Sequence, residues 1–82
     1  MTKQERLMKQ GLLAEKRDEI KALEDRAENA LNALRAATFV YDSPLDLDGG
    51  NVVVAATDLD ALIKQASSVR KQITKLEDEL GV

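Results

Sequence analysis

Residues 57–80 read TDLDALIKQASSVRKQITKLEDEL, and within them Leu59, Leu62, Ala66, Val69, Ile73, Leu76 and Leu80 recur at gaps that alternate between three and four. That spacing is a heptad repeat. A seam two positions wide cannot be buried by its own helix, so this segment must lie against another helix, in the same chain or in a partner. Thr57 followed by Asp58 and Asp60 opens it with a hydroxyl cap and acids at the positive helix end. Gly81 suits the left-handed position that ends it.

A second seam lies upstream in Leu13, Ile20, Leu23, Ala27, Ala30 or Leu31, Leu34 and Ala37, interrupted by the charge of Lys16. Residues 1–37 are dense in strong helix formers and lack Pro, so they read as one long helix. Gly11 is the weak point, costing about 1 kcal/mol relative to Ala. Two seams in one 82-residue chain predict a single all-α domain, an antiparallel coiled-coil hairpin that oligomerises into a helical bundle.

The connection is residues 38–56, TFVYDSPLDLDGGNVVVAA, marked by Pro44 and the Gly49-Gly50-Asn51 turn signal. Its flanks, residues 38–42 and 51–55, are rich in β-branched and aromatic residues and suit a short β-hairpin at the tip. The competing reading starts the second helix near Asn51 as its N-cap, since Val52 and Ala55 extend the seam backwards. Three consecutive valines and the rival cap at Thr57 favour the strand reading, with the second helix over 57–80.

Charge blocks give an independent test of antiparallel pairing. With the turn centred near residue 49, Arg70, Lys71 and Lys75 fall beside Glu24, Asp25 and Glu28, and Glu77, Asp78 and Glu79 fall near Arg17 and Lys21. Exposed pairs of this kind contribute about 0–1 kcal/mol each and therefore select register more than they supply stability. Small seam residues, Ala27, Ala30, Ala37 and Ala66, favour close helix approach. The unequal helix lengths predict that about a third of the first helix projects beyond the second. This projection, residues 1–17, carries Lys3, Arg6, Lys9, Lys16 and Arg17 against Glu5 and Glu15, beside Leu7, Met8, Leu12 and Leu13.

Composition narrows the chemistry. There is no Cys for a disulfide or thiolate site and no His for zinc or nucleophilic catalysis. Asp and Glu are plentiful, but slim helices offer no sheltered pocket to shift their pKa values. The run Asp46-Leu47-Asp48-Gly49-Gly50 fails as a calcium loop, because an EF-hand register places Pro44 at the first ligand and Ala55 at the bidentate Glu. Asp42-Ser43-Pro44 reads as turn initiation. No catalytic residue, cofactor or metal is expected. A net charge of −3 argues against broad nucleic-acid affinity. With no apolar run of membrane-span length and no secretory signal, a cytoplasmic protein is expected.

What remains is association. Leu7, Met8, Leu12 and Leu13 on the projecting arm, with Phe39 and Tyr41 at the tip, are the candidate protein-interaction residues. Self-association into a homodimer or higher oligomer leads, followed by docking of the arm into another protein's groove. The arm's lack of Trp or Phe places membrane-surface binding last. The expected function is a non-enzymatic assembly or adaptor protein, of the small kind common in bacterial and phage genomes. The alternatives are a nucleic-acid or regulatory binder using the basic arm, or a holding chaperone. In layout alone the chain resembles a shortened prefoldin subunit, in which two coiled-coil helices flank β structure. That resemblance implies a holding role for tip residues Phe39, Tyr41, Val52 and Val54.

Overall fold

A computed structural model describes residues 1–39 and 43–82. Its elements are α1 (Lys3–Thr38), a single 3-10 turn (Pro44–Asp46) and α2 (Gly49–Leu80), the two helices packing antiparallel as an all-α hairpin. Thr2 caps α1 by accepting a hydrogen bond from the Glu5 N–H at 3.1 Å. Gly81, at φ 73°, ends α2 as expected. Its N–H reaches the Asp78 carbonyl, and that of Val82 reaches the Glu77 carbonyl at 3.0 Å, satisfying two carbonyls that the helix end leaves open.

Both predicted seams face each other. On α2 the buried and half-buried run is Val52, Ala55, Leu59, Leu62, Ala66, Val69, Ile73, Leu76 and Leu80, so the heptad pattern holds without a slip over the whole helix. On α1 it is Leu13, Lys16, Ile20, Leu23, Ala27, Ala30 with Leu31, Leu34 and Ala37. Lys16 keeps its seam position by carrying its ammonium outward to Glu19, 3.2 Å away, while its methylenes cover the seam.

The tip differs from expectation. Residues 51–55 are helical, so the second strand of the proposed β-hairpin does not form. Of the first strand, Thr38 is the last residue of α1, and residues 40–42 lie outside the described residues. Neither Asn51 nor Thr57 starts α2. Asp48 does, its carboxylate accepting from the Asn51 N–H at 3.2 Å. Burial outweighs local preference here: Val52 and Ala55 are on the seam, and hiding them exceeds the few tenths of a kcal/mol that each valine loses in a helix. Ser43 opens the 3-10 turn, its hydroxyl accepting from the Leu45 N–H at 3.2 Å.

An earlier start for α2 shortens the connection. Arg17 meets Glu77 and Glu24 meets Arg70, both pairs that the charge blocks lead one to expect, with their centre at position 47, two residues below the expected one. The long projecting arm is thereby lost. Arg6 donates to the Leu80 carbonyl at 3.0 Å, so α2 covers α1 almost to its N-terminus.

The result is a rod with principal extents of 64 × 16 × 14 Å. Its radius of gyration is 18.6 Å, against about 12 Å for a compact domain of this length. Among the described residues six are buried, Leu13, Leu23, Ala55, Val69, Leu76 and Leu80. The tightest cluster, Leu13 with Leu76, Leu80 and Ile73, closes the open end of the hairpin.

Candidate functional site: an interaction surface

The hairpin has two unlike edges. One is charged: Arg17 faces Glu77 at 3.6 Å, and Arg70 faces Glu24 at 3.9 Å. The other carries a row of shallow hollows. Met8, Lys9, Leu12, Lys16, Gln72, Lys75 and Leu76 line it at the open end. Arg26, Ala30, Asp58, Ala61 and Leu62 line its middle. Ala33, Ala36, Ala37, Val54 and Ala55 line it near the connection. Heptad geometry explains why the hollows share one edge, because these side chains occupy the seam and the two positions flanking it on one side of each helix.

Among the described residues the exposed large apolar side chains fall in two groups: Met1, Leu7, Met8, Leu12 and Val82 at the open end, and Phe39, Leu45, Val53, Val54 and, further along α2, Ile63 toward the connection. Charge divides the same way. Residues 36–63 contain Asp42, Asp46, Asp48, Asp58 and Asp60 and no Lys or Arg, giving −5. The remaining chain therefore sums to +2.

The predicted interaction residues do not act as one group. Leu7 and Met8 are well exposed and Leu12 is 41% exposed, while Leu13 is 4% exposed. Leu13 thus needs no partner chain, since Leu76 and Leu80 cover it. Met8 and Leu12 line the hollow at the open end, and Leu7 does not. Phe39 directly follows α1 and is 62% exposed, so it does not plug the end of the helix pair. Tyr41 lies outside the described residues. The residues missed in the sequence are small: Ala33, Ala36 and Ala61 line the hollows with Val54. On α1 their signal is a pair of apolar clusters beside the seam, Met8 with Leu12 and Ala33 with Ala36, each at helical spacing.

The basic N-terminal segment is largely committed within the chain. Lys9 bonds Glu79 at 2.8 Å, Arg17 faces Glu77, and Arg6 holds the Leu80 carbonyl. The hydrogen bond from Lys9, with the charges of Lys9 and Lys75, keeps the Glu79 carboxyl below the usual range. On α2, Asp60 accepts from Lys64 one turn on and raises its ammonium. Neither shift comes from burial. Asp48 spends its carboxylate on the helix cap, and among the described residues no group of three or more Asp or Glu converges as a metal site. No described helix is long and apolar enough to cross a membrane. No family model, curated protein or solved structure matches this chain.

Proposed function

We infer that this protein is a non-enzymatic assembly or adaptor element that works by helix-to-helix association, with a second copy of itself as its first partner. The observation that carries this reading is surface surplus. The rod exposes 6137 Å² at 9.0 kDa, against about 4,900 Å² for a compact monomer of that mass. The excess, about 1,200 Å², exceeds the roughly 800 Å² that one partner gives to a standard interface. The exposed apolar side chains give that interface something to bury. Sedimentation equilibrium on the intact chain tests the reading: a mass of two or more chains is expected, and a monomer at every concentration would overturn self-association.

A holding role at the acidic end is the second reading, favoured by the exposure of Phe39, Leu45, Val53 and Val54. It predicts that Phe39→Ser with Tyr41→Ser weakens suppression of client aggregation. The nucleic-acid reading has less support, because Arg6, Lys9 and Arg17 already have partners in the hairpin.

A further inference from the structure

We propose that two copies pair through the hollow-lined edge of α1, antiparallel, about a two-fold axis at Ala22. This deepens the self-association reading above and rests on it. Along that edge one row runs Met8, Glu15, Ala22, Asn29, Ala36, and the row beside it, nearer the seam, runs Glu5, Leu12, Glu19, Arg26, Ala33. Reversing a copy about Ala22 sets Met8 over Ala36 of the second copy and Ala22 over its own equivalent. It also sets Leu12 over Ala33, Glu15 over Asn29, and Glu19, whose carboxylate also holds Lys16, over Arg26.

Each large apolar side chain thus meets a small one, and Arg26 meets a carboxylate. Self-complementarity of this kind is what a two-fold interface requires. The knobs are exposed at one end of the edge, and the alanine-lined hollow lies at the other. Alanine at the axis lets the helices approach toward the lower end of the usual range.

Two further observations favour a second copy as the occupant. Among the described residues Arg26 makes no ion pair, and no carboxylate lies three or four residues from it on α1. It lies exposed in the hollow that Asp58 also lines. The whole rod is also polarised, with −5 over residues 36–63 and +2 elsewhere. Antiparallel pairing sets the acidic end of each copy beside the basic N-terminal segment of the other, whereas parallel pairing would set the five aspartates of each copy side by side.

The test uses the full chain, which has no native Cys. Ala22→Cys is oxidised beside Lys21→Cys, a control at the same height but turned about 100° around the helix. Arg26→Glu is weighed alone and with Glu19→Arg. If the proposal holds, Ala22→Cys forms a covalent dimer far faster than Lys21→Cys. Arg26→Glu raises the dimer Kd about tenfold by reversing two symmetry-related pairs, and adding Glu19→Arg restores it. Circular dichroism on each variant confirms that helix content is unchanged. A wild-type dimer in which the two cysteines react alike and the charge swap has no effect would overturn this register but leave self-association standing. A wild-type monomer would overturn both.

Discussion

Lys9 near the start of α1 holds Glu79 near the end of α2 at 2.8 Å. This contact joins positions far apart in sequence and fastens the open end of the hairpin, where neither helix has a covalent tie to the other. It also relieves a local conflict, because Glu77, Asp78 and Glu79 crowd negative charge at the negative end of the α2 dipole. The Lys9 ammonium, the Arg17 guanidinium and the Arg6 donor to the Leu80 carbonyl answer that charge from across the hairpin.

Acid should loosen this end first. The folded state depresses the Glu79 pKa, so its contribution is present above the ordinary carboxylate range and is lost as pH falls through the lowered value. Amide exchange at Leu80 and Gly81 should accelerate over that interval before α2 melts elsewhere. Glu79→Gln should remove most of this pH dependence, and an unchanged exchange profile would show that Lys9 does not fasten the end.

Leu76→Ala should be a costly truncation among the seam residues. Leu76 is 7% exposed and packs in the cluster of Leu13, Leu80 and Ile73. Urea unfolding followed by circular dichroism should register a loss of about 2–3 kcal/mol, low in the Leu→Ala range because a one-layer core can partly collapse. Leu45→Ala, at a side chain 93% exposed, should stay within about 0.5 kcal/mol of wild type.

The glycines should divide by position. Gly11 lies inside α1 with open space around an added Cβ, so Gly11→Ala should stabilise the chain by about 0.5–1 kcal/mol. Gly81→Ala should destabilise by a similar amount, because φ 73° is costly for a residue with a Cβ. At the start of α2, Gly49→Ala should be tolerated better than Gly50→Ala, whose Cβ would lie 3.3 Å from the capping Asp48 carboxylate. Thermal melts of the four variants check the order.

Deleting residues 1–14 should remove more than one end of one helix. Leu13 belongs to the tight cluster and Lys9 holds Glu79, so the last turns of α2 would lose their cover. Circular dichroism should report a helix loss exceeding the deleted residues. A loss confined to those residues would mean that α2 stands without them.

The two seams, their antiparallel pairing and the Gly81 stop were legible in the chain itself. Heptad spacing is a local geometric property, and oppositely charged blocks report direction whichever residue starts a helix. The interaction edge was legible only in part. Met8 and Leu12 stand out as large apolar side chains, whereas Ala33, Ala36 and Ala61 come to line hollows only beside a second helix.

By itself the sequence determined that two helices must cover each other, because each carries an apolar stripe too wide for its own surface to hide. Only the tertiary structure decided where α2 begins, and with it the burial of Leu13 and the loss of the projecting arm. The reason is energetic. Around Val52-Val53-Val54 local propensities differ by tenths of a kcal/mol, and burial of Val52 and Ala55 against α1, which exists only once the helices meet, outweighs them.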